Sequence, residues 1–322
     1  MIKIIDLFAG IGGIRRGFEQ ASNEKIECVF TSEWDNFAVQ TYKANYPNEE
    51  IFGDITTVNV NDIPEHDILL AGFPCQPFSQ AGLKKGFDDT RGTLFFDIER
   101  ILKTKQPKAF LLENVKRLKT HDNGRTLEII IKHLKEAGYK NIYIDVLKAR
   151  DFGLPQNRER IFIVGFLDEN VKFEFPKPIS KLTRVGDILE TKVDPKYTIS
   201  DKLWEGHQRR KFENKLKGKG FGFGIVNKDS EYTNTISARY YKDGSEILIE
   251  QKGKNPRKLT PREAARLQGY PDTFKIVVSN NQAYKQFGNS VPVNTIQAVA
   301  SEMIKSLKGA EQIEIKELQI IE

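Results

Sequence analysis

Residues 71–82 read AGFPCQPFSQAG and set Cys75 between two prolines, directly after an apolar run. Only one other cysteine, Cys28, occurs in the chain. Proline fixes its own φ and removes an amide donor, so the backbone around Cys75 is stiff. Either a buried thiol sits in a turn here, or a nucleophile is being held still. A reactive thiol works as the thiolate and needs positive surroundings. Arg158 and Arg160, two apart at the start of RIFIVGF, would share one face of a strand and could supply them. An ordinary surface salt bridge explains either arginine taken alone. A second cluster lies in FAGIGG, where Gly10, Gly12 and Gly13 permit a tight turn and close backbone approach to a ligand ahead of a helix N-terminus. Glu33 follows Gly10 by 23 residues, about where an acid meets ribose hydroxyls in nucleotide-binding βαβ units, and Trp34 offers a flat face for a purine. The glycines do not form G-x-G-x-x-G, and a structural turn would also explain them. Together with Glu33 and Trp34 they suggest an adenosine-bearing ligand, with a dinucleotide and S-adenosylmethionine both open.

These residues need a scaffold that gathers them. Short apolar runs at 2–8, 28–33, 67–72, 109–115, 143–149 and 160–166 read as strands, several apolar on both faces, as in a sheet covered on both sides. Helical spacing lies between them. After HDNG, Leu127, Ile130, Ile131 and Leu134 recur at i, i+3, i+4 and i+7, and Gly138 stops the run. The alternation predicts an α/β fold: a Rossmann-like, mostly parallel open sheet. Such sheets bind ligands at the carboxyl ends of their strands. That edge collects the glycine turn, Glu33-Trp34, Gly53-Asp54-Ile55, Cys75 and Glu113-Asn114. A core thiol has no reason to join them, which favours the nucleophile.

With 322 residues the chain can bury a large core, in two domains if it divides. No apolar run is long enough to span a membrane, and MIKIIDLFAG passes straight into strand and turn rather than a signal peptide. Two cysteines make no disulfide framework, and the four histidines lie far apart without metal-ligand spacing, so no metal is expected and a reducing cytoplasm is. The net charge of +6 is uneven: residues 201–262 hold 15 Lys/Arg against 8 Asp/Glu, which leaves the rest of the chain near neutral. A neutral body with a basic segment suits a polyanion, although a solvated basic surface looks the same by charge alone.

DLFAGIGG, EWD, GFPCQPFSQAG, LLENV, QNRERIFIVG and QAYKQFGNSVPV, in this order and spacing, resemble the motif series of DNA (cytosine-5)-methyltransferases of the bacterial restriction-modification type. The resemblance covers nearly the whole chain. It implies the S-adenosylmethionine-dependent methyltransferase fold, S-adenosylmethionine as donor (S-adenosylhomocysteine as product) and a cytosine in duplex DNA as acceptor. It implies Cys75 as the nucleophile at carbon 6, with Arg158 and Arg160 beside it. Glu113 would face the Watson–Crick edge near ring nitrogen 3, with Arg160 holding the base's carbonyl oxygen. By matching positions, Phe8, Gly10, Ile11 and Gly13 form the cofactor turn, while Glu33 and Trp34 hold ribose and adenine. Asp54 and Ile55 flank the adenine, Pro74 and Leu94 approach the methionine part, and Asn289, Ser290 and Val291 complete the cradle. The base must be flipped out of the duplex. Residues 79–92, with Ser79 and Lys84, read as a loop closing over the DNA, though an ordinary surface loop has the same composition.

Past FPKPIS the βα rhythm fades. Residues 186–284 are expected to form a smaller, loop-rich target-recognition domain, and 1–185 plus 285–322 a discontinuous catalytic domain. Within KLKGKGFGFGIVNKDSEYTNTISARYYKDGSEILI, glycines, cations and aromatic rings suit phosphate contact and groove insertion. Thr235-Ile236 match a recurrent Thr-Leu-type pair of the family, Arg239 could reach a guanine, and Tyr240 joins them as a DNA contact. The segment resembles those of members acting on CCGG- or CCNGG-type sites. A C-terminal helix over 293–307 is expected to start at Pro292 and end at Gly309. A monomer is expected, paired in function with a restriction endonuclease and making no membrane contact. Three other readings compete. An NAD-dependent oxidoreductase leaves Cys75, Glu113 and the arginines unused. An RNA cytosine-5 methyltransferase shares the chemistry, and a catalytically silent DNA-binding protein would need a lost reactive residue.

Overall fold

The computed structural model describes residues 1–73, 94–180 and 182–321, with side chains through 310. Six strands form one sheet: β1 (Ile2–Leu7), β2 (Ile26–Ser32), β3 (Ile68–Gly72), β4 (Ala109–Val115), β5 (Asn141–Lys148) and β6 (Glu159–Phe166). Their order is β2-β1-β3-β4-β6-β5, parallel from β2 to β4, with β6 antiparallel to both of its neighbours. The chain runs outward from β1 to β2 and then returns to β3 on the other side of β1. That reversal opens a crevice beyond the carboxyl ends of β1 and β3.

Alternation along each strand builds a core on both faces. Ile4, Ile68, Leu70, Leu111 and Val164 point to one face, and Ile5, Leu7, Leu69, Leu112 and Ile163 to the other. The second face is covered by α3 (Leu94–Lys105) and α4 (Arg125–Glu136), which bury Phe95, Ile98, Ile130 and Leu134. The first is covered by α1 (Gly13–Ala21) and the long α9 (Val293–Ile321) through Phe18, Ile296, Val299, Ala300, Met303 and Ile304. These two helices approach closely at Gly17, where a Cβ would lie 2.4 Å from Ile296 Cγ2. The expected stop at Gly309 does not occur: α9 runs on to Ile321, because one glycine within a helix costs only about 1 kcal/mol relative to alanine.

The remaining helices are α2 (Asn36–Asn45), α5 (Asp201–Leu216), α6 (Tyr240–Asp243), α7 (Pro261–Leu267) and α8 (Asn280–Asn289). Residues 185–293 gather a third core around Val185, Ile236, Tyr240, Leu259, Tyr270 and Phe287, with a two-stranded parallel pair at Ile225–Val226 and Leu248–Ile249. This core includes Ile11 of the glycine turn. Among the described residues, no helix is long and apolar enough to cross a membrane.

Candidate active site

A cavity of about 1060 Å³ occupies the crevice beyond β1 and β3. Its floor is the turn after β1, where Phe8 and Gly10 take left-handed φ of 55° and 56° and Gly12, at 80°, caps α1. Gly13 is required for packing: a Cβ there would fall 2.6 Å from Tyr270 Oη and 2.9 Å from Ser290 Oγ. Those two hydroxyls bond each other at 2.7 Å, so the turn rests directly on the start of the segment after α8.

Glu33, just past β2, accepts from the Gly10 amide through Oε2 and from the Asp35 amide through Oε1, both at 2.7 Å. Burial raises its carboxyl pKa, and the amides of Asp35, Gly10 and Trp34 oppose that rise. Asp35 caps α2 by accepting from the Phe37 and Ala38 amides. Trp34 is 78% exposed at the cavity mouth. On the facing wall Asp54 accepts from the Thr56 amide, and Arg100 Nη2 donates to the Ile55 carbonyl at 2.6 Å. Phe8, Gly10, Ile11, Gly13, Glu33, Trp34, Asp54, Ile55, Leu94, Asn289, Ser290 and Val291 all line this one cavity.

Glu113 and Arg160 share the same wall. Glu113 is buried near the end of β4, and the antiparallel register sets Arg160 across from Val115. Arg160 Nε lies 2.9 Å from Glu113 Oε1. This close ion pair is off line for a hydrogen bond, and Oε1 has no hydrogen-bond partner among the described residues. Burial pushes the Glu113 carboxyl above the usual carboxylate range, and the charges of Arg160 and Arg158 only partly reverse this. The carboxyl, held against a guanidinium, therefore keeps its proton to a higher pH than a free carboxyl does. Asn114, the next residue, donates to the Phe73 carbonyl at 2.9 Å and accepts from the Val115 amide. It thereby anchors the backbone two residues before Cys75.

Other expected site residues are placed differently. Cys75, Pro74, Ser79, Lys84 and the rest of the expected loop over 79–92 lie outside the described residues. Arg158 does not line the cavity. It is 1% exposed and gives its guanidinium to the carbonyls of Ile236, Gly288 and Ser290. Ile236 and Tyr240, expected at a DNA interface, are fully buried. Tyr240 Oη donates to the Ile247 carbonyl and accepts from the Leu259 amide, so its polar tip is already satisfied inside the protein. Arg239 is exposed, and Thr235 is half-buried with its hydroxyl donating to the Asn157 carbonyl. Cys28 is buried and its thiol is pushed up to about 11, mainly by burial, which leaves it a poor nucleophile. His133 lies with Glu136, one turn on along α4, and with Glu99 of α3. There Lys103 already pairs with Glu99 at 2.6 Å.

The profile of C-5 cytosine-specific DNA methylases matches residues 2–305. The chain is 70% identical over 309 residues to the type II methyltransferase M.NlaX of Neisseria lactamica, covering 96% of this chain and 98% of that one. It is 64% identical over 314 residues to the type II methyltransferase M1.ScrFI of Lactococcus lactis subsp. cremoris, covering 96% and 80%. Among solved structures, the Dnmt2 methyltransferase of S. pombe superposes with a TM-score of 0.80 at 22% identity, covering 95% of this chain and 99% of that one, which speaks to the fold.

Proposed function

The chain belongs to the C-5 cytosine-specific DNA methylase family, and from that premise we propose that it methylates carbon 5 of a cytosine flipped out of duplex DNA, within a CCGG- or CCNGG-type site. The observation that carries this reading is the Glu113–Arg160 pair: a buried carboxyl 2.9 Å from a guanidinium, its pKa raised by burial, on the wall of the cavity that the glycine turn and Glu33 also line.

The cavity suits S-adenosylmethionine. The Gly10 Cα faces open space, the Glu33 oxygens keep lone pairs for ribose hydroxyls, and Trp34 leaves a ring face free for adenine. Bound there, the donor supplies an electrophilic methyl group. Phe8, Ile11, Gly13, Asp54, Ile55, Leu94, Asn289, Ser290 and Val291 would enclose it, joined by Pro74.

Carbon 5 of cytosine is a weak nucleophile until the ring is activated. Cys75 acts as the thiolate: its sulfur forms a bond to carbon 6, and the carbon 5–carbon 6 π pair becomes available at carbon 5. Glu113 gives its proton, or a hydrogen bond, to ring nitrogen 3, so that the ring does not accumulate negative charge. Arg160 holds the base's carbonyl oxygen and keeps Glu113 in place. Carbon 5 then takes the methyl group. A base, a water in the simplest case, removes the carbon 5 proton; the electron pair re-forms the double bond, the Cys75 thiolate leaves, and ring nitrogen 3 returns its proton to Glu113. Asn114 steadies the strand end that leads into Cys75.

Residues 186–284 form the target-recognition part, with Arg239 offered to a guanine and Thr235 to the duplex. Residues 1–185 and 285–322 form the catalytic part. The protein works as a cytoplasmic monomer beside a restriction endonuclease that cuts the same site unmethylated. Methylation mapping tests the reading. After incubation with mixed-sequence duplex DNA and S-adenosylmethionine, bisulfite conversion should find 5-methylcytosine in one short motif. Absence of 5-methylcytosine from DNA, with confirmed donor binding, would reject it and point to an RNA acceptor. Cys75→Ser should lose turnover and keep donor and DNA binding; near-normal methylation by that variant would sink the nucleophile assignment.

A further inference from the structure

Arg158 bridges three places that are far apart in sequence. Nη1 donates to the Ile236 carbonyl at 3.0 Å, and Nη2 donates to Gly288 at 3.0 Å and to Ser290 at 2.5 Å. Ile236 lies between Thr235 and Arg239, in the segment read above as facing DNA. Ser290 lines the donor cavity and touches the glycine turn. A planar guanidinium can span such divergent acceptors, whereas an ammonium on a flexible stem cannot hold all three in one plane.

The ties around Arg158 run in the same direction. Residues 155–157 pair with Thr233: the Thr233 amide donates to the Pro155 carbonyl and the Asn157 amide to the Thr233 carbonyl, both at 2.8 Å. Gln156, fully buried, accepts from the Ile236 amide and donates to Gln268 Oε1. Gln268 in turn donates to the Phe287 carbonyl at 2.5 Å. Gly288 presses on the recognition segment so closely that a Cβ would fall 2.2 Å from the Ser237 carbonyl carbon and 2.3 Å from the Ala238 amide nitrogen. Backbone therefore meets backbone on the path from residues 235–239 to Ser290. No compressible side chain lies between Gly288 and residues 237–238 to absorb a displacement there.

We propose that Arg158 is a positioning residue that couples the DNA-reading segment to the donor cradle, so that engagement of the target duplex tightens the cavity around the donor. This rests on the function proposed above. When the duplex fixes residues 235–239, the Ile236 carbonyl is fixed, and through Arg158 so are the Gly288 and Ser290 carbonyls. Ser290 then holds Tyr270 and the Gly13 turn in the conformation that grips the nucleoside. Linkage makes the effect reciprocal: bound donor must tighten duplex binding by the same factor, and through Arg158 it steadies the reading segment.

The test is the affinity of S-adenosylhomocysteine, measured by calorimetry with and without a duplex carrying the site found by methylation mapping. In the wild type, duplex should tighten binding by about 5- to 150-fold. In Arg158→Lys, which keeps the charge and loses the fork, that ratio should fall to below about twofold. A variant that loses affinity equally with and without DNA would show a merely structural arginine and overturn the proposal, as would an undiminished ratio or a wild type without coupling. If Arg158→Lys does not fold, hydrogen exchange on the wild type decides. S-adenosylhomocysteine alone should slow exchange of the amides of residues 235–240, and unchanged exchange there overturns the coupling. A protein that binds no S-adenosylhomocysteine at all would instead count against the proposed function.

Discussion

Glu113→Gln is the perturbation on which the chemistry turns. The substitution keeps shape and hydrogen-bonding reach but can no longer hand over a carboxyl proton. At 2.9 Å from Arg160, and with an effective dielectric constant of about 20, two unit charges attract by about 6 kcal/mol. Burying the carboxylate costs several kcal/mol, of the same order. The Glu113 pKa is nevertheless raised, so burial wins and the proton stays on above the usual carboxylate range. A positioned general acid contributes about 10²- to 10⁴-fold, equivalent to about 2.7–5.4 kcal/mol of barrier. The assay is single-turnover transfer of a tritiated methyl group to duplex DNA across a pH series. The wild-type rate should rise as Cys75 loses its proton and fall again as pH passes the raised Glu113 value. Glu113→Gln should be slower by about 10²- to 10⁴-fold, keep the acid limb and lose the alkaline one. The sign for stability follows the same shift. A carboxyl whose folded pKa lies above its unfolded value stabilises at low pH, and that contribution is lost as pH climbs from the unfolded toward the folded value. Glu113→Gln should flatten this slope in urea melts. A variant within about tenfold of the wild-type rate, or one that keeps the alkaline fall, would refute the reasoning.

Three further outcomes are expected. Trp34→Ala should leave the thermal midpoint unchanged, since the ring is 78% exposed, yet weaken S-adenosylhomocysteine by about 1–3 kcal/mol of stacking; equal affinity would remove Trp34 from the site. Gly13→Ala drives a methyl group into Tyr270 Oη and Ser290 Oγ and should cost about 1–3 kcal/mol of overpacking, read in urea unfolding; wild-type stability would show that the turn can yield freely. Met303→Ala empties a fully buried site between α9 and the sheet and should cost about 2–5 kcal/mol in urea unfolding, and a loss below 1 kcal/mol, roughly the size of a surface change, would deny that α9 is core.

The sheet was legible because its signal is local. Each apolar run expected as a strand is one, and the residues after β1, β2, β3 and β4 meet at one edge because parallel strands end together. Most of the expected donor residues line one cavity for the same reason. What escaped the sequence is set by contacts between distant segments. Nothing near Arg158 reveals that its acceptors lie 78, 130 and 132 residues away. Tyr240 sits in a basic, aromatic stretch that suits DNA by composition, but its hydroxyl is satisfied by Ile247 and Leu259, a fact available only once the third core has closed. Gly309 resembles a stop signal, yet the helix passes through it. Nor does anything beside Asn114 reveal its hydrogen bond to Phe73, 41 residues earlier, at the end of the neighbouring strand.

The pairing of α1 with α9 also fixes a schedule for the growing polypeptide. Ile4, Phe18, Ile68 and Leu70 belong to the early part of the nascent chain, but much of their cover is Ile296, Val299, Ala300, Met303 and Ile304. Until the ribosome has delivered those residues, one side of the sheet faces water and must be sheltered by other means. The residues of the third core, 185–293, are translated before them, so the first face of the sheet closes only after that core has been made.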